Sequence, residues 1–184
     1  MEAQGYPSLG RAFEERILGV REDNTKPKYH LGKYDIDKSL QHVIWENWAS
    51  FAEAVEKGFE QFHNPEDPRM GETHLLWRMV KRHLPRHVVK SRVPLNLYVA
   101  VGKNALDWRH GVDAFFWWQG ACVTIDISML PAEFKNLKAD VLFNPEDMEE
   151  ERLFVFGKKV ADLLKERSKA TRPHKRVPKF VELK

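Results

Sequence analysis

The stretch from Val112 to Ser128, V-D-A-F-F-W-W-Q-G-A-C-V-T-I-D-I-S, limits what this chain can fold into more than any other. Two runs of β-branched and aromatic residues flank Gln119-Gly120, with Gly at a turn position, and this predicts a β-hairpin. In a symmetric hairpin position i pairs with 239 − i, so Trp118 faces Ala121, Phe116 faces Val123, Ala114 faces Ile125 and Asp113 faces Asp126. Alternation puts Val112, Ala114, Phe116, Val123, Ile125 and Ile127 on one apolar face. Asp113 and Asp126 share the other face with Phe115, Trp117, Thr124 and Ser128. Directly opposed residues have Cβ atoms ~4.5–5.5 Å apart, and like charges there are destabilising. A divalent cation, a shared proton or a neighbouring Lys or Arg must compensate. Gln119 is a poor residue for the positive φ of a tight primed turn, so the turn type stays open, and an odd loop length would shift the register.

The segments around the hairpin are ordered as helices, strands, then a helix. Leu9, Phe13 and Ile17 give residues 8–18 a helical stripe. Residues 20–38 are polar and read as an extended loop. Residues 39–62 carry Leu40, Ile44, Trp48, Phe51, Val55, Phe59 and Phe62 on one stripe, with Ser39 as N-cap; the glutamates off that stripe read as a solvated face. Residues 72–84 form a third helix with Leu75, Leu76, Met79, Val80 and His83 inward. Arg78, Lys81 and Arg82 are on its basic outer side. His83 and His87 stand four apart but have Pro85 between them, which argues against a metal site. Residues 93–101 read as a strand, 102–110 as a connection rich in reactive groups, and 138–143 as a fourth strand. Asn144-Pro145 and the acids after it predict a helix over 146–167. Long amphipathic helices need a sheet face to cover, so the expected class is α+β: a mainly antiparallel (mixed) four-stranded sheet flanked by helices. The length suits one domain over 1–168 followed by a basic arm over 169–184.

Charge and cysteine usage narrow the setting. The net charge is only +3, but Lys165–Lys184 holds eight Lys/Arg against two Glu. That tail, with Lys175 and Arg176, suits an anionic partner. No apolar run is long enough to span a membrane, and the amino terminus lacks the features of a signal peptide. The single cysteine, Cys122, fits a reducing compartment, so a cytoplasmic location is expected, and the residue reads as buried and inert.

H-G-V-D-A-F-F-W-W-Q-G-A-C-V-T-I-D-I-S resembles the core of the restriction-endonuclease-like, P-D-(D/E)-x-K, nuclease superfamily. The resemblance covers roughly residues 72–165. It implies that Asp113 and Asp126 match the two acids that bind Mg²⁺, twelve residues apart, with Val112 at the position of the motif's proline. The motif's lysine position is Ser128, a departure from the pattern. Lys138, then Lys135 and Lys103, are the candidates to replace it from neighbouring elements. Asp107 or His110 is expected to complete the ligand set or to move a proton, and Glu72 is a further candidate because related folds place a Glu on the preceding helix. A restriction-endonuclease-like core is the implied fold. The implied activity is metal-dependent (Mg or Mn) hydrolysis of phosphodiester bonds in nucleic acid, DNA favoured over RNA.

Arg78, Lys81, Arg82, Arg109, Lys175 and Arg176 are the residues expected to hold the nucleic-acid backbone. Whether the chain is an enzyme stays open, because Ser128 suits a catalytically inactive nucleic-acid-binding or assembly protein with the same fold. A homodimer through the aromatic helix 39–62 is a third reading. More ordinary roles compete throughout. Asp113 can bond to backbone or to Arg109, Asp126 can pair with Lys138, and Phe115, Phe116 and Trp117 suit a sheet core better than a base-stacking platform.

Overall fold

The hairpin forms in the register its sequence dictates. In the computed structural model, β2 (Ala114–Trp118) and β3 (Ala121–Ile127) pair antiparallel as Trp118↔Ala121, Phe116↔Val123 and Ala114↔Ile125. The connection is Gln119-Gly120, both at positive φ (+50° and +79°). That is the two-residue turn whose twist matches the strands, and Gln119 takes it up despite its side chain.

The structure describes residues 9–19, 35–60, 62–85, 93–100, 105–130 and 138–170. The remaining elements are α1 (Leu9–Leu18), α2 (Ile36–Lys57), α3 (Thr73–His83), β1 (Asn96–Val99), α4 (Ala105–His110), β4 (Val141–Phe143) and α5 (Glu150–Ala170). The sheet order is β1-β2-β3-β4; the first three strands are antiparallel and β4 runs parallel to β3. The class is therefore α+β with a mixed four-stranded sheet. Among the described residues no helix is long and apolar enough to cross a membrane.

Period-2 alternation divides the core into two layers. Leu97, Val99, Ala114, Phe116, Val123, Ile125, Ile127 and Phe143 pack on one face against Phe13 and Ile17 of α1, Leu76 and Val80 of α3, and Phe156, Val160 and Leu164 of α5. Tyr98, Phe115, Leu106 and Ala139 pack on the other against Leu40 and Val43 of α2. Phe115 and Phe116 are fully buried, which makes them sheet core rather than a stacking surface. At the crossing of α3 and α5, Gly157 lies so close that a Cβ there would sit 2.8 Å from the Met79 backbone.

Several boundaries differ from expectation. α2 starts earlier because Asp35, not Ser39, caps it: Lys38 N donates to Asp35 Oδ1 at 2.8 Å. It ends at Gly58, whose φ of +69° forms a left-handed cap, so Val55 and Phe59 lie exposed rather than in the buried stripe. Val43, Asn47 and Ala54 take the inner line instead. Leu9, the first residue of α1, is also exposed. The connection before the hairpin contains the short helix α4. Pro145–Met148 forms a 3-10 turn before α5 starts at Glu150; Asn144 is the N-cap of that turn, its N–H donating to Asp147 Oδ2 at 2.8 Å, and its side-chain amide also donates to Ser128 O and Leu130 O. Most of the expected loop 20–38 and of the basic arm 169–184 lies outside the described residues.

Asn47 finishes the outer edge of β1. Its Nδ2 donates to Val99 O at 2.8 Å and its Oδ1 accepts from Val99 N at 3.1 Å. One buried side chain so supplies both the acceptor and the donor that a fifth strand would offer. Farther along the same edge, Leu97 N donates to Pro65 O at 2.9 Å and His63 Nε2 lies 2.7 Å from Leu97 O. Burial holds the His63 imidazole below its ordinary pKa, despite the Leu97 carbonyl.

Candidate functional site

Asp113 sits at a bend where the hairpin ladder ends. Its N–H donates to Ile125 O at 2.9 Å, although Ile125 already pairs with Ala114. The ladder ends there, and the direct Asp113–Asp126 pairing expected from the register is not part of it. Asp113 Oδ2 instead accepts from Ile127 N at 2.6 Å. The carboxylate stands in for the ladder carbonyl that β2 no longer supplies to β3. Of the ordinary roles open to Asp113, the backbone bond is the one the structure contains.

Burial is the largest influence on this carboxyl and raises its pKa to about 8. The Ile127 N–H opposes that shift, and the charges of Glu14, Asp107 and Asp126 add to it. Asp113 and Asp126 are both buried, whereas Glu14 and Asp107 are half-buried. Three carboxylates, from α1, α4 and β3, thus act on Asp113. Glu14 was not singled out from the sequence. Its signal was present, since Phe13 and Ile17 define the inner stripe of α1 and Glu14 adjoins it. Glu72, the candidate chosen for the preceding helix, uses its N–H to bond Ile17 O at 2.9 Å, tying α3 to the end of α1.

The other expected site residues are scattered. Lys138 Nζ donates to Arg109 O at 3.1 Å, closing the end of α4 rather than pairing with Asp126 across strands. Ser128 Oγ accepts from Leu130 N at 3.1 Å. His110 is half-buried, and its Nε2 has no hydrogen-bond partner among the described residues. Lys135, Lys103, Lys175 and Arg176 lie outside the described residues. On α3, Arg78 and Arg82 are exposed, and Lys81 Nζ lies 4.0 Å above the Trp77 ring. Arg109 is exposed on α4. Among the described residues no three His, Cys, Asp or Glu side chains form a group able to hold a metal ion.

A second polar cluster, unanticipated from sequence, joins β3 to α5. Arg167 Nη2 and Nη1 contact the two Asp140 oxygens at 2.6 and 2.7 Å, and Nη1 also donates to Cys122 O at 2.6 Å. Asp140 Oδ2 accepts from Thr124 N and Oγ1 at 2.8 and 2.9 Å. Desolvation works to raise the Asp140 pKa; the Arg167 and Thr124 hydrogen bonds overcome it and hold the carboxyl below its usual range. Burial, aided by Asp140, pushes the Cys122 thiol up to about 12, which makes it a poor nucleophile at neutral pH. This cluster is a structural clamp. No family model, curated protein or solved structure matches the chain.

Proposed function

We propose that the chain is a divalent-cation-dependent, nuclease-like phosphodiesterase whose metal is held by Asp113 and Asp126. The observation that carries this reading is the state of Asp113. Asp113 is buried, fixed by the Ile127 N–H and acted on by Glu14, Asp107 and Asp126, and a hard cation bound there would favour its ionised form. The donor set suits such an ion, because Mg²⁺ is commonly bound through one or two carboxylates, with waters and substrate phosphate oxygens completing its shell. When bound, the ion would polarise the phosphodiester and acidify an attacking water. The chain's own part is to fix Asp113 through the Ile127 N–H and to present Asp126 from β3. DNA is the favoured substrate, and the restriction-endonuclease-like core is the fold-level analogy behind that choice.

A second reading is a nucleic-acid-binding protein without catalysis. Ser128 at the lysine position and the engagement of Lys138 Nζ with Arg109 O favour it. Calorimetric titration with Mn²⁺ and a nuclease assay on the same samples separate the two. Cleavage and metal binding that are both lost in Asp113→Asn and Asp126→Asn support the enzyme. Oligonucleotide binding without metal binding or cleavage supports the second reading. Exposed Trp45, Val55 and Phe59 favour a homodimer through α2, and a strict monomer in sedimentation at high concentration removes that proposal.

A further inference from the structure

The cations of this protein divide into two populations. Seven are neutralised locally: Arg11 by Glu15, Lys38 by Asp35, Lys57 by Glu53, Arg69 by Asp67, Arg152 by Glu146, Lys165 by Asp162 and Arg167 by Asp140. Eight others, Arg16, Arg78, Lys81, Arg82, Lys138, Lys158, Lys159 and Lys169, have no carboxylate ion pair among the described residues, and six of the eight are on α3 and α5. These two helices cross in backbone contact at Gly157 and Met79, so six of the unpaired charges lie on one helix pair. Arg82 from α3 and Asp162, Lys165 and Lys158 from α5 all act electrostatically on His83, which places them beside the seam between the two helices, three cations to one carboxylate. Phe154 lies beside them, 40% exposed, with the Arg82 guanidinium 5.7 Å from its ring centre and the His83 ring edge-on at 4.4 Å.

We propose that the α3–α5 seam is a docking surface for single-stranded nucleic acid, with Arg82 and Lys158 on phosphates and Phe154 against a base. Unneutralised cations beside an exposed aromatic ring are the two elements that sequence-tolerant single-strand binding uses. Arg78 and Arg82, one helical turn apart, continue the charged line along α3. Of the acids on α5, Glu150 and Glu151 belong to its first turn, where the helix dipole favours them, and Asp162 is ion-paired with Lys165. The proposal rests on the nucleic-acid reading above but not on the metal site.

The test is fluorescence anisotropy of a labelled oligothymidylate, without divalent cation, over a salt series. Wild type, Arg82→Ala/Lys158→Ala, Phe154→Ser and a control, Lys57→Ala/Arg69→Ala, are compared after thermal melts confirm folding. Each single-strand phosphate contact contributes ~0.7 to the slope of log affinity against log salt, or roughly eightfold at about 50 mM. The seam double variant is expected to lose about 1.4 of slope and to bind tens of times more weakly. Phe154→Ser is expected to lose affinity with the slope kept, and the control, with the same charge change, to bind as wild type. Wild-type binding that the seam variants leave intact overturns this surface and spares the nucleic-acid reading. Absence of any binding by wild type overturns both. Retention on phosphatidylserine vesicles but not on the oligonucleotide assigns the seam to anionic lipid and overturns the proposal.

Discussion

Asp113→Asn isolates the buried carboxyl on which the site depends. Its native pKa lies at about 8 against an ordinary 3.8. Between those values the native protein keeps a proton that the unfolded chain has released, so stability falls as pH rises from about 4 to about 8 and then levels. At ~1.4 kcal/mol per pH unit this interval sets an upper limit of roughly 6 kcal/mol, reduced by any water that reaches the carboxyl. A domain of this size has only about 5–15 kcal/mol in total, so the effect is large. Asparagine cannot ionise, yet its side-chain oxygen can still accept from Ile127 N, where the carboxylate now bonds at 2.6 Å. The variant should therefore match wild type near pH 4 and exceed it by several kcal/mol at pH 8. Urea denaturation followed by tryptophan fluorescence, with chelator present, measures the difference. His63, held neutral by burial, costs stability on the acid side, but it does so equally in both proteins and cancels. Parallel stability curves for the two proteins across this range would refute the account of Asp113.

Other perturbations test the frame that holds the site. Asn47→Ala removes both edge bonds to Val99 and leaves a buried N–H and C=O unsatisfied; about 2–4 kcal/mol should be lost in the same denaturation assay, and a loss below about 1 would contradict the edge-completing role. Gln119→Gly relieves a left-handed residue at φ +50° and should raise stability by ~0.5–1 kcal/mol; a lower urea midpoint would show that the turn is not strained. Arg167→Met strands Asp140. With Arg167 in place, the lowered Asp140 pKa adds stability above about pH 4 that is lost as pH falls through the native value. The variant should lose about 1–3 kcal/mol at pH 7, a figure limited by the 40% exposure of Arg167, and should lose the acid-side slope as well. An unchanged acid limb would refute the clamp.

Much of this fold is written in local pattern. Period-2 alternation from Ala114 to Ile127 set the hairpin, its register and its two faces, because a slip by one residue would expose Phe116, Val123 and Ile125 together. The spacing of Phe13 and Ile17, and of Leu76 and Val80, marked which helix faces turn inward. The sequence by itself also placed Asp113 and Asp126 at the end of that hairpin, since both lie within one local unit. What required tertiary structure was every feature that depends on where a strand ends or which helix covers it. The β2 ladder stops at Ala114, one residue short of Asp113, and no periodicity encodes that. Glu14 joins the acidic site from a helix about a hundred residues earlier in the chain. Asn47 reads as an interruption of an apolar stripe until β1 is set beside it. Arg167 finds Asp140 only when α5 lies across the sheet. Alternation and helical period are short-range consequences of backbone geometry, whereas burial, charge pairing and a raised carboxyl pKa depend on neighbours that only the packed chain supplies.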